Sequence, residues 1–255
     1  YGQRYGKTGI TVFASRNSNA PYDPSGIGLT AIPEFERYTI NPKLFVYFSD
    51  NTEMTAGVNF TTEERTGGDV SYIKGNNPSG YYETNNSDRF STQFSFQHKF
   101  SKCSHIKVKN SYSHFRRELF TPDLWFFGLQ NSTFTEATYA YHGEVAEWIT
   151  GVNLLTDNFR EIKLTSNPPR NYRQLTTGFF VQNNWKISSR VHLETGLRGD
   201  AVKDYGFALL PRLSALFKIT PKISSRIGGG LGYKAPSIFT EESERLQYRN
   251  VLPID

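Results

Sequence analysis

Cysteine and methionine are almost missing from this chain of 255 residues, which has one of each. A single thiol, Cys103, excludes an internal disulfide framework and any cysteine-based zinc cluster. Aliphatic residues are scarce too: the hydrophobic set is only 37% of the chain although Phe (20) and Tyr (15) are abundant. So few branched side chains cannot fill one large globular core, so either much of the chain is loop or its strands bury only one face. No stretch approaches the roughly 18 to 20 uncharged apolar residues of a membrane helix, which excludes helical spanning. Charge is not segregated. The net charge is +5, but 29 Lys and Arg are scattered among 24 carboxylates, so the stripe that a nucleic-acid partner requires is missing. The opening residues, Tyr1-Gly2-Gln3-Arg4-Tyr5, lack the apolar core of a signal peptide. Either the protein stays inside the cell or the chain is a piece whose start lies elsewhere.

Catalytic signatures are missing as well. His98, His105, His114, His142 and His192 are dispersed, with none at HExxH or close metal-ligand spacing. There is no Gly-x-Ser-x-Gly elbow, and Gly228-Gly229-Gly230-Leu231-Gly232 lacks the Lys and following helix of a phosphate loop. No enzymatic activity, metal centre or cofactor is expected.

What is present is alternation with period two, which marks strands whose two faces meet different surroundings. Phe90, Thr92, Phe94, Phe96, His98 and Phe100 share one face, and Ser91, Gln93, Ser95, Gln97 and Lys99 share the other. A helix would scatter those phenylalanines around its axis. Tyr38 to Phe48, Met54 to Phe60, Ile106 to Tyr112, Val191 to Leu197 and Leu209 to Ile219 behave alike. About eleven strands are expected, centred near residues 11, 43, 58, 95, 110, 136, 152, 180, 196, 213 and 228. Short turns at Asp50-Asn51, Ser101 to Ser104, His142 to Glu144, Ser188-Ser189 and Thr220 to Lys222 alternate with longer polar loops. The long loops fall near 17–34, 65–88, 117–131, 160–172 and 234–255, with a short exception at Lys203 to Gly206. In an antiparallel sheet this puts the short turns at one end and the long loops at the other.

Loop asymmetry, dyad alternation and abundant aromatics together describe an antiparallel transmembrane β-barrel. Membrane strands need about 9 to 11 residues, so the longer segments would project beyond the bilayer. Single-chain bacterial barrels close with an even number of strands. An odd count, and a chain running out in Val251-Leu252-Pro253-Ile254-Asp255, lead to the expectation of an open sheet that enters at the short-turn side and stops at the other. Residues 1–255 would then be an internal segment of a larger barrel.

Here the residues carry a resemblance. Arg226-Ile227-Gly228-Gly229-Gly230-Leu231-Gly232-Tyr233-Lys234-Ala235-Pro236-Ser237-Ile238-Phe239-Thr240-Glu241-Glu242 resembles the glycine-rich strand and following loop of TonB-dependent outer-membrane receptors. Its continuation, Tyr248-Arg249-Asn250-Val251-Leu252-Pro253, is similar to the form found in Bacteroidota. Trp148-Ile149-Thr150-Gly151-Val152-Asn153-Leu154, with Asp157 and Phe159, resembles another strand of that family, and Leu210-Pro211-Arg212-Leu213-Ser214 a third. The resemblance implies half of a barrel of about 22 strands around a plug. The plug, the signal peptide, the TonB box and the terminal strand are not recognisable in the chain. It further implies the outer membrane of a Gram-negative bacterium, with lipid around the barrel and a TonB-type energy transducer and the protein's own plug as partners. The cargo would be a scarce small nutrient, an iron-siderophore complex or cobalamin. The alternative is a structural, adhesin-like barrel that binds surfaces through its long loops.

Two sets of candidate residues follow. Glu136, Asn153, Asp157, Arg198, Asp200, Arg212 and Arg226 fall on the polar face and are expected to line the lumen or meet the plug. Gly228, Gly230 and Gly232 fall on the same face, where close approach of a plug and strand curvature explain them equally well. Aromatic faces beside cations suit aromatic, anionic ligands. On that ground Tyr72, Tyr81, Tyr82, Arg116, Arg117 and Trp125 are ligand-binding candidates. For Trp125 to Phe127 an aromatic girdle or loop packing is the stronger reading.

Overall fold

The computed structural model describes residues 1–163, 169–249 and 251–253. Alternation becomes strand nearly everywhere it was read. The strands are β1 (Gly2–Tyr5), β2 (Thr8–Asn19), β3 (Glu34–Ser49), β4 (Thr52–Gly68), β5 (Tyr82–Lys99) and β6 (Ser104–Thr121). They continue as β7 (Leu124–His142), β8 (Ala146–Lys163), β9 (Tyr172–Lys186), β10 (Val191–Val202), β11 (Gly206–Lys218) and β12 (Ser224–Gly230). All are antiparallel and ordered along the sheet as along the chain, and β1 is not paired with β12. The two helices, α1 (Val70–Ile73) and α2 (Glu241–Arg245), are single turns.

Three expectations need correction. Twelve strands stand among the described residues where about eleven were expected, because β1 has four residues, too few for alternation to be visible. The parity argument therefore lapses: β1 runs toward the short-turn end and β12 away from it, so the path does not enter at one side and stop at the other. Openness rests on the unpaired edges alone. Finally, 117–131 is not a loop. Strands β6 and β7 pair without interruption up to Thr121↔Leu124, and only Pro122-Asp123 turns the chain. The aromatic run Leu124-Trp125-Phe126-Phe127 hid this strand because it is apolar on both faces, and each face has its own reason, given below.

Among the described residues nothing covers the apolar face of β11 and β12. Leu209 and Leu213 are 55% exposed, and Ile227, which shares their face in the register, is 70% exposed. A water-soluble sheet would leave such a band uncovered, whereas lipid tails satisfy it. Strands of 17 to 19 residues in β4 to β8 are longer than the about 9 to 11 residues with which a strand crosses a bilayer.

Proline tests the sheet at one point. Pro42 lies in β3 and has no N–H to give to a ladder. The β3–β4 register skips Asn41 and Pro42, and the Asn41 side-chain amide donates to the Val58 carbonyl at 2.9 Å in place of the backbone.

Candidate functional site

On the polar face, register brings the lumen candidates into rows. Asn153 stands opposite Glu136 on one side and Gly178 on the other, and Gly178 stands opposite Asp200. The Arg198 Nε donates to Asp200 Oδ1 at 2.8 Å, its Nη2 donates to Asn153 Oδ1 at 3.2 Å, and the Tyr233 hydroxyl donates to Asp200 Oδ2 at 2.9 Å. Glycine is required between them: a Cβ on Gly178 would lie 2.4 Å from Asp200 Oδ1 and 2.5 Å from Asn153 Oδ1. Asp200 and Asn153 are buried, and the Asn153 Nδ2 has no partner among the described residues. A cleft of about 590 Å³ opens beside this group, with Asp157, Arg198, Asp200 and Tyr233 in its wall.

The remaining polar-face candidates are tied locally. Asp157 accepts bonds from Gln130, Ser132 and Tyr172. Glu136 pairs with Lys109 at 3.1 Å, and Glu194 receives both Arg212 and Arg226 at 3.5 Å. Gly228 and Gly230 lie on this face opposite Ser214 and Arg212, while Gly232 lies past the end of β12.

Beyond β12 the chain folds back over this same face. Tyr233 reaches Asp200 of β10, the Pro236 carbonyl accepts from Gln174 of β9, Tyr248 stacks on Phe126 of β7, and Gln247 donates to Glu83 of β5. One short segment can touch strands so far apart only on the hollow side of a curved sheet. The polar face is therefore the concave one, and residues 231–249 form a strap across it.

The strap is held by an aromatic hub. Leu119, Phe126, Phe159, Ile238 and Tyr248 are all nearly inaccessible, and the Phe126 and Tyr248 rings stack at 4.4 Å. Beneath them Arg170 and Glu161 pair at 2.6 Å, and Arg170 also donates to the Tyr248 carbonyl. Arg117 donates to the Tyr248 hydroxyl and to Glu244, each at 2.8 Å. At the far end Arg249 grips Asp123 with two bonds, at 2.7 and 2.8 Å. That guanidinium, with the Thr121 hydroxyl, holds the Asp123 carboxyl below the usual carboxylate range, and burial pushes the Tyr248 phenol well above the usual tyrosine range. Gln247 and Tyr248 both take left-handed backbone, φ +50° and +59°. Such conformations cost about 1 to 2 kcal/mol per residue, which the burial of the Tyr248 ring offsets.

The ligand candidates divide between the two faces. Arg117 and Tyr81 meet the strap, Tyr81 through its hydroxyl to Gln247 at 2.7 Å. Arg116 points outward with Phe127, 5.0 Å from that ring, and sits between Asp88 and Glu118. Tyr72, Tyr82, Phe120 and Trp125 form a continuous outward aromatic row, from the Tyr72–Tyr82 stack at 4.3 Å to Phe120–Trp125 at 6.4 Å. The structure thus does not gather the six into one site. Both faces of the Leu124 to Phe127 run are now explained: Phe126 turns inward to the hub, and Trp125 turns outward to the row.

Sequence reasoning gave no role in the site to Phe126, Phe159, Glu161, Arg170 or Tyr248. One signal was available: Phe159 has the parity of Asn153 and Asp157, so it is an aromatic ring on a face that should be wet. Among the described residues no three His, Cys, Asp or Glu side chains stand close enough to hold a metal ion.

Residues 14–243 match the family described as "TonB dependent receptor-like, beta-barrel". No curated protein sequence matches the chain. Among solved structures, the siderophore receptor PirA of Pseudomonas aeruginosa superposes with a TM-score of 0.72 at 13% identity, over 92% of this chain and 38% of that one. A mutant form of the ferric enterobactin receptor PfeA of the same organism gives 0.74 at 13%, over 92% and 41%. The ferric-catecholate import receptor Fiu of E. coli gives 0.69 at 12%, over 92% and 52%. The chain spans about two fifths to one half of the length of these structures.

Proposed function

The chain belongs to the TonB-dependent receptor-like β-barrel family, and from that premise we propose that it builds part of the wall of an outer-membrane receptor for energy-coupled uptake of a scarce nutrient. The observation that carries this is the two-sided sheet: an exposed apolar face and a hollow polar face with buried carboxylates, guanidiniums and a cleft. Lipid suits the first and a wet path the second. The two unpaired edges support further strands outside residues 1–255, because an open edge cannot face hydrocarbon. A plug domain of the same protein and a TonB-type transducer are the partners that this reading requires.

The cargo we favour is an iron chelate, with cobalamin as the second class. Siderophore receptors among the structural neighbours support the first. A copper transporter, OprC, superposes with a TM-score of 0.69, so the fold itself does not choose the cargo.

The test is growth of a strain lacking the protein on ferric catecholate, ferric hydroxamate or cobalamin as the sole source of each nutrient. Loss of one, restored by the wild-type gene, is the expected result. Restoration should fail with Arg117→Ala and succeed with Arg116→Ala, whose side chain faces outward. Normal growth of the deletion strain on every source would overturn the uptake reading.

A further inference from the structure

The hollow face carries a second cleft, of about 440 Å³, at the long-loop end of β3 to β6, away from the Asp200 group. Four arginines, Arg37, Arg65, Arg89 and Arg117, line it against two carboxylates, Glu63 and Glu244. Four cations less two anions leaves a surplus of two positive charges. The pairing is uneven. Glu63 serves both Arg37 and Arg65, while Glu244 serves Arg117. Arg89 meets no carboxylate among the described residues; its guanidinium lies 4.3 Å from the centre of the Phe115 ring and its side chain is exposed. The Arg65 Nε is buried without a partner among the described residues. Guanidiniums crowded on one concave wall repel each other, and their planar forks match carboxylate or phosphate oxygens in pairs. The cleft is therefore short of an anion.

The two carboxylates differ in kind. Glu63 belongs to β4 and is 12% exposed between its arginines. Glu244 arrives from α2 on the strap, 127 positions from Arg117 in the chain, and is 51% exposed. An ion pair so open to water is held weakly. We propose that this cleft binds a small multivalent anion bearing carboxylate or phosphate groups, and that Glu244 is its internal competitor. An anion entering the cleft takes the Arg117 donors from Glu244 and from the Tyr248 hydroxyl, and the strap loosens where it crosses β6. The inference rests on the hollow face being the ligand path, but it concerns binding and not energised uptake.

The experiment uses the complete protein that contains this chain, purified in detergent, with titration calorimetry at fixed ionic strength. Citrate and inorganic pyrophosphate are the probes and glucose is the neutral blank. Wild type is expected to bind at least one of the two anions, and the tighter one identifies carboxylate or phosphate as the natural group. Arg89→Gln and Arg117→Gln should each weaken binding by about tenfold or more. Glu244→Gln should tighten it by about threefold, and hydrogen exchange of residues 241–249 should quicken when the wild type is saturated with the anion. Failure of both anions to bind, or equal affinity in the Arg89 variant, overturns the site. Unchanged or weaker affinity in Glu244→Gln overturns the competition. Both outcomes can be read whether or not the cell transports the ligand. The substitutions at Arg89 and Glu244 lie on exposed side chains, and equal melting temperatures check that the fold is kept.

Discussion

Arg170 and Glu161 form an ion pair that neither side chain shares with solvent: Nη2 lies 2.6 Å from Oε1 and Nε 3.1 Å from Oε2. The pair stands under the strap, and the same guanidinium holds the Tyr248 carbonyl and lies 5.4 Å from the Phe126 ring centre.

Removing one partner takes the counter-ion of this pair from a buried charge. Arg170→Met is expected to destabilise strap docking by about 3 to 5 kcal/mol, whereas Arg170→Met with Glu161→Leu should recover much of that loss. Hydrogen-exchange free energies at residues 245–249 measure both. Equal losses in the single and double variants would show that the carboxylate's lost counter-ion is not the cause.

Gly178→Ala is expected to break the Asn153–Arg198–Asp200 group. The new methyl would sit on two carboxylate and amide oxygens that belong to buried side chains and cannot both withdraw. Overpacking of this kind costs about 1 to 3 kcal/mol, read from the denaturant midpoint. Gly196→Ala, whose Cβ would meet nothing nearer than 3.8 Å, is the control and should cost less.

Acid should free the far end of the strap, and only strong acid. The Asp123 carboxyl is held below its ordinary value by Arg249, so its folded pKa is depressed. Its contribution is complete above the unfolded value of about 3.9 and is lost as pH falls through the lowered one. Protease cleavage near residues 247–253 should stay constant from about pH 8 to pH 5 and rise below about pH 4. In Asp123→Asn the site should already be looser at neutral pH, and this part of the acid response should vanish.

The strands were legible because a wall between lipid and water imposes one chemical demand on odd positions and the opposite on even ones. Phe90 to Phe100 obeys it and falls on β5, although that strand starts earlier, at Tyr82 inside the stretch expected to be loop, and ends at Lys99. Where a third surface intrudes, the code fails. Leu124 to Phe127 broke alternation because the strap covers its inner side, and nothing local announces a segment more than a hundred residues away. The candidate site was legible by parity but not by partnership. All seven polar-face candidates share one face, yet the contacts of Arg170 with Tyr248 and of Arg117 with Glu244 depend on how the chain returns after β12. Adjacent residues misled for the same reason: Arg116 and Arg117 look like a pair in sequence, and a strand sends them to opposite sides.

Cys103 is exposed in the turn between β5 and β6, at the end where the short connections gather. With any cysteine outside residues 1–255 replaced, it becomes a reporter of sidedness. A maleimide too polar to cross the outer membrane should leave this thiol untouched in intact cells and label it once the membrane is permeabilised, provided the short turns face the periplasm. The residue whose scarcity first narrowed the possibilities thereby offers a one-site measure of which way the wall stands in its membrane.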